Sequence, residues 1–148
     1  MSFIYHTIIG FAILVASPVI ALRAIFSSNF RSDFLKRIFG YKLLKPLNDC
    51  IWIHAASVGE VKLGETLISA LKEKGETRPI ILSTFTSTGF DQAKKDGVEH
   101  VFIMPPDFFL WVNSLLNRLC PAMLILIEAE MWPGLISECN RRKIPVLL

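Results

Sequence analysis

The chain has 148 residues, a formal net charge of +3, 52% apolar residues and 20% charged ones. That is the size of one domain with ample apolar material for a buried core. Its mild basic balance suits an anionic membrane surface or a phosphorylated ligand, while the basic residues form no aromatic-interleaved groove of the kind that binds nucleic acid.

The three cysteines, Cys50, Cys120 and Cys139, are odd in number and far apart. They form no C-x-x-C pair and no His/Cys metal spacing, so reduced thiols on the cytosolic side of a membrane are expected.

Ile4 to Leu22 carries no formal charge over about nineteen residues, enough to cross a hydrocarbon core of about 30 Å. Pro18 inside it is better tolerated in lipid than in a soluble helix. Arg23 closes the run, and Arg31, Lys36, Arg37, Lys42 and Lys45 follow. This basic excess is expected on the cytoplasmic side. A signal peptide fits poorly, because no basic segment precedes the apolar run. A helix buried in a further part of the protein stays open. Residues 1–26 are thus expected to be a membrane anchor helix.

Residues 27–49 read as a basic and aromatic connector close to the membrane. Within it, 34–39 has the pattern of a short amphipathic helix ended by Gly40. Such a segment suits a headgroup surface, and a solvated linker is the alternative.

From Cys50 onward, strand and helix patterns alternate. Strands are predicted over 51–55, 79–83, 100–104 and 123–127, and a fifth opens at Pro145. Helices are predicted over 60–74, 89–95, 108–119 and 134–142, with Gly75 past the end of the first and Pro133 at the start of the last. Apolar strands joined by helices imply an α/β fold, a parallel Rossmann-like sheet with right-handed crossovers over residues 50–148. A buried strand at the very end of the chain suggests the amino-terminal part of something longer.

In such a sheet every strand's carboxyl end opens on one rim, where ligands of α/β folds bind. That rim gathers Glu60, the turn from Thr84 to Gly89, Asp107, and the pair Glu128 and Glu130. Glu60 reads either as a first-turn acid complementing a helix dipole or as a general base. Gly59 offers positive φ or close approach of a ligand to the backbone. Ser57 stands in the same tight turn. Thr84, Thr86, Thr88 and Gly89 offer hydroxyls and amides to an anion, or merely a capped helix start. Glu128 and Glu130 either cap the Pro133 helix or serve chemistry. Trp132 reads as a platform for a ring or as a core or lid aromatic. Asp107 reads as an N-cap, and His54 as a hydrogen-bonded structural histidine rather than a catalyst. Dinucleotide, P-loop and nucleophile-elbow motifs are absent, as is any metal-ligand cluster.

Taken together, His54-Ala55-Ala56-Ser57-Val58-Gly59-Glu60, Ser83-Thr84-Phe85-Thr86-Ser87-Thr88-Gly89, Pro105-Pro106-Asp107, Glu128-Ala129-Glu130-Met131-Trp132-Pro133 and Arg141-Arg142-Lys143-Ile144-Pro145 resemble the amino-terminal half of the 3-deoxy-D-manno-octulosonic acid (Kdo) transferase family. The apolar helix followed by Lys36-Arg37-Ile38-Phe39-Gly40-Tyr41 fits as well. The resemblance implies the amino-terminal domain of a GT-B glycosyltransferase at the bacterial inner membrane. It implies transfer of Kdo from CMP-Kdo to a lipid A precursor (lipid IVA) in lipopolysaccharide assembly, with no metal or other cofactor. It implies that Glu60 is the catalytic base, that Glu130 supports the transition state, and that the carboxyl-terminal donor domain lies outside this chain. The departures are mild: Ala129 where the family often has Thr, Met131 where Leu is common, and Pro106 where an aromatic is common.

Overall fold

The computed structural model describes residues 2–128 and 132–148. Two helices lead the chain, α1 (Ser2–Phe26) and α2 (Ser28–Phe39), followed by a 3-10 turn (Gly40–Leu43). The α/β body runs β1 (Cys50–His54), α3 (Val58–Glu73), β2 (Ile80–Thr84), α4 (Ser87–Lys95), β3 (Val101–Ile103), α5 (Phe109–Leu119), β4 (Pro121–Leu126), α6 (Pro133–Arg141) and β5 (Val146–Leu147).

All five strands are parallel, in the order β3-β2-β1-β4-β5. The parallel sheet is the one expected from the alternation of elements, and its strand order is Rossmann-like. The strand order reverses between β1 and β4, so the crevice of such a fold opens beyond their carboxyl ends.

Alternation along each strand builds two cores. Trp52, Ile81, Phe102, Leu124 and Leu126 face α5 and α6, against Val112, Leu115, Leu116, Leu135 and Cys139. Ile51, Ile53, Leu82 and Val101 face the other way, toward Val61 of α3 and Ala93 of α4. Both faces of the sheet are therefore covered, which is why its strands read as nearly unbroken apolar runs.

The starts of α3 and α4 lie two residues earlier than the sequence predicts, because side chains cap them, while α5 starts one residue later and α6 one earlier. Ser57 accepts the Glu60 amide at 3.4 Å, and Thr86 accepts the Gly89 amide at 3.1 Å. The helix in the connector is also longer than 34–39, since Ser27 caps it at Phe30. Gly75, at φ +86°, ends α3 as expected; the Glu76 amide reaches back to the Leu71 carbonyl.

The connector is folded onto the sheet body. Tyr41 is fully buried in the α5–α6 core, and its hydroxyl donates to Ser114 Oγ at 3.0 Å. Arg37 of α2 donates to the carbonyls of Met104 (3.1 Å) and Phe85 (2.7 Å), just past β3 and β2.

Helix α1 has the length and composition to cross a membrane over Ile4–Phe26, with mean hydropathy 2.3. Past Gly10 its large apolar side chains, Phe11, Leu14, Val15, Val19, Leu22 and Ile25, are exposed.

Candidate active site

The loop after β1 folds back on itself. Ser57 and Glu60 form a variant of the capping box: Ser57 Oγ accepts the Glu60 amide, and the Glu60 carboxylate reaches back to the Ala56 amide, one residue before the N-cap, and to the Ser57 hydroxyl. Glu60 Oε2 accepts the Ala56 amide at 2.7 Å, and Oε1 accepts the Ser57 hydroxyl at 2.7 Å. Glu60 as a whole is only 8% exposed. Each oxygen spends one lone pair on these donors and keeps another, so a hydrogen-bonded proton from a ligand can still be met. Gly59 is the second residue of α3 and helical, not at positive φ as the sequence allowed. It is open at the helix start, and an added Cβ would come no closer than 3.9 Å to Ser57 Oγ. What it leaves uncovered is the amino end of α3, with its unpaired amides and positive dipole end.

The neighbouring loop after β2 is bound to the first through one carbonyl. Ala56 O accepts the amides of Phe85 (3.2 Å) and Thr86 (3.3 Å) and the Thr86 hydroxyl (3.3 Å). Thr84 is buried and donates to the Thr86 carbonyl at 3.1 Å; Thr88 donates to Thr86 Oγ1 at 3.3 Å. These hydroxyls are engaged in building the turn, which favours the capped-helix reading over a loop of free hydroxyls. Gly89 is a packing glycine: a Cβ there would meet Thr86 Oγ1 at 3.0 Å and Thr84 Cβ at 3.4 Å.

Under both loops lies a buried polar line. Ser83 Oγ accepts the Trp52 indole N–H at 2.8 Å and lies 2.7 Å from His54 Nδ1. The ring and the hydroxyl share one hydrogen bond, whose direction follows the tautomer, and the imidazole is neutral. Burial pushes the His54 pKa down to about 4, against the opposing pull of the Glu60 charge and the Ser83 contact. His54 is thus the structural residue the sequence suggests. The edge of its ring meets Trp132 (centroids 5.2 Å apart), and Trp132 meets Phe85 at 5.6 Å. The Arg37 guanidinium stacks over Phe85 at 4.5 Å. Trp132 therefore belongs to a row of rings spanning the crevice from β1 to α2.

Asp107 does not cap its own helix. Phe108 takes the N-cap position of α5, and the Asp107 carboxylate crosses to α6. Oδ2 accepts the Gly134 amide at 2.7 Å and Oδ1 the Leu135 amide at 2.8 Å. Pro133 has no N–H, and the Ile136 amide is taken by the Trp132 carbonyl. Asp107 thus satisfies the two remaining amides of the first turn, the duty the sequence gave to Glu128 or Glu130. Gly134 is required there, since a Cβ would sit 2.6 Å from Asp107 Oδ1.

Glu128 is exposed and stands at φ +64°, a left-handed conformation that breaks the extended path at the end of β4. Glu130 lies outside the described residues, so Glu60, Ser57, the Thr84–Gly89 turn and Trp132 are the expected site residues that the structure brings together. Arg37, Phe85 and Asp107's bond to α6 escaped the sequence reading, because no local pattern ties them to their partners. No cluster of metal-ligating side chains occurs among the described residues.

A family model described as 3-Deoxy-D-manno-octulosonic-acid transferase (kdotransferase) matches residues 32–148. The chain is 31% identical over 144 residues to the 3-deoxy-D-manno-octulosonic acid transferase of Haemophilus influenzae, covering 92% of this chain and 34% of that protein. It is 31% identical over 116 residues to the enzyme of that name from Aquifex aeolicus, covering 77% and 32%. A bifunctional glycosyltransferase/methyltransferase of Fusobacterium nucleatum is 31% identical over 128 residues, covering 80% and 20%. The chain spans about a fifth to a third of the length of these relatives.

Proposed function

Since the chain belongs to the 3-deoxy-D-manno-octulosonic-acid transferase family, we propose that residues 50–148 form the acceptor-side domain of a GT-B glycosyltransferase. In this reading the whole enzyme transfers Kdo from CMP-Kdo to a lipid A precursor at the cytoplasmic face of the inner membrane. The donor is held mainly by a carboxyl-terminal domain outside this chain, so the 148 residues alone do not turn over.

Glu60 is the base. A sugar hydroxyl becomes an adequate nucleophile as its proton leaves, and a carboxylate held at the crevice accepts that proton while the CMP oxygen departs with the bonding pair. The observation that carries this reading is the placement of a nearly buried carboxylate at the strand-order reversal, with its orientation fixed by Ala56 and Ser57. Glu130 supports the transition state, and Ser57, Gly59, Thr84, Thr86, Thr88, Gly89, Glu128 and Trp132 shape the acceptor site. Residues 1–26 hold the enzyme at the bilayer, and the basic side chains of 27–49 meet acceptor or lipid phosphates.

The capping box supports a second, purely structural reading of Glu60, and one substitution separates the two. Gln also completes a capping box. Glu60→Gln in the full-length enzyme should keep its fold and lower kcat for transfer from CMP-Kdo by roughly 10²–10⁴-fold. Near-normal transfer by a folded Glu60→Gln enzyme would leave Glu60 a cap and nothing more.

A further inference from the structure

The amino-terminal end of α1 is bound to the rim of the sheet, at the mouth of the crevice. Tyr5 donates its hydroxyl to Asp107 Oδ2 at 2.8 Å, the oxygen that also accepts the Gly134 amide. The His6 ring stands edge-on to Phe108 and Phe109, at 6.0 and 5.8 Å between centroids. Gly10 lets the helix lie close to Phe108, whose ring would be 3.3 Å from an added Cβ. Residues 6 and 10, four apart, lie on one helical stripe, and Tyr5 flanks it, so one side of the helix makes these contacts.

The same rim holds the far end of the segment. Arg37 binds the carbonyls of Phe85 and Met104. Residues 5–37 therefore leave the rim and return to it.

That closure is incompatible with a single crossing of the bilayer. At 1.5 Å per residue, Tyr5 lies about 27 Å along the helix from Arg23. With Arg23 at the face occupied by the sheet, a crossing helix would put Tyr5 on the opposite side of an apolar core about 30 Å thick. Asp107 would then be out of reach. The reverse orientation fails as well. From Ser28 back to Phe39, α2 spans only about 18 Å, too short to return Arg37 across the same core.

We infer that α1 lies in the leaflet facing the sheet domain instead of spanning the membrane, with residues 5–10 docked on Asp107 and Phe108 as part of the crevice rim. The exposed Phe11, Leu14, Val15, Leu22, Ile25 and Phe26 enter the hydrocarbon of that leaflet. Arg23, Arg31 and Lys36 accompany them with the positive charge that anionic headgroups attract. The acceptor crevice then opens at the lipid surface itself, instead of at the end of a flexible tether.

The test reads topology, so it stands or falls separately from the transfer reaction. Full-length protein in which Cys120 and any other exposed cysteine is replaced by Ser is prepared in inner-membrane vesicles of known orientation. It carries either Ser2→Cys or Lys94→Cys, the latter on an exposed position of α4. Both are treated with a membrane-impermeant maleimide. Labelling of both from the same face is the expected result. Labelling of Ser2→Cys only from the face opposite Lys94→Cys overturns the inference. If Ser2→Cys resists label from both faces, benzoylphenylalanine at His6 decides. A photo-cross-link to the peptide holding residues 107–112 upholds docking, and lipid adducts alone overturn it.

Discussion

Removing the Asp107 carboxylate should unseat α6 and, with it, Trp132. Asp107 is 8% exposed, and its carboxylate accepts three donors: the Gly134 and Leu135 amides and the Tyr5 hydroxyl. A hydrogen bond to a charged group contributes roughly 1.5–3 kcal/mol, and a lost N-cap costs up to about 2 kcal/mol. Two backbone amides left without an acceptor in a site this dry therefore put Asp107→Ala at about 3–4 kcal/mol. Asp107→Asn keeps one accepting oxygen and turns an amide toward a donor, so about 2 kcal/mol is expected. Urea titration of the full-length protein in detergent, followed by tryptophan emission, measures both. The emission should shift to the red even without denaturant, as the Trp132 indole loses its packing on His54 and Phe85. A loss below about 1 kcal/mol with unshifted emission would mean that water replaces the carboxylate, and would refute the claim that Asp107 fixes the crevice wall.

Stability should fall as pH is lowered from about 6.5 to about 4. His54 titrates near 4 when folded and near 6.5 when unfolded, so the unfolded chain takes up the proton first and gains free energy through that window; the full effect is about 3 kcal/mol. His54→Gln should flatten this slope, and an unchanged slope would assign it elsewhere. Glu138, held down to about 2 by Arg141 and Arg142, acts in a separate, lower window, where its stabilisation is lost from about 4.5 downward. Arg37→Ala should speed hydrogen exchange at the Phe85 and Thr86 amides at least tenfold without speeding exchange in β1, since only the contacts from α2 to the rim are removed; equal exchange would show that the Ala56 carbonyl alone holds the turn.

The parallel sheet was readable because its causes are local. Unbroken apolar runs such as 51–55 betray strands covered on both faces, and Ser57 and Glu60 announce a helix start within four residues. Even there the boundary slipped, because a capping side chain begins the helix before the apolar periodicity does. The site was legible only in part. Glu60 could be placed on the rim from strand direction alone. Asp107 looked like a cap for the nearest helix, and nothing within 25 residues of it reveals that its amides belong to Gly134 and Leu135. Arg37 and Tyr41 sat in a stretch that composition presents as a linker, yet one binds two strand ends and the other completes the core. Glu128 at φ +64° is equally silent in sequence, since Glu carries no mark of a left-handed position.

The neutral line from Trp52 through Ser83 to His54 has one electrostatic consequence. The Glu60 charge has the neutral His54 beneath it, so little on that side offsets its field, which acts mainly on the crevice side. An anion approaching that mouth meets repulsion from below. It is drawn in only along the amino ends of α3 and α4 or by cations from a facing surface.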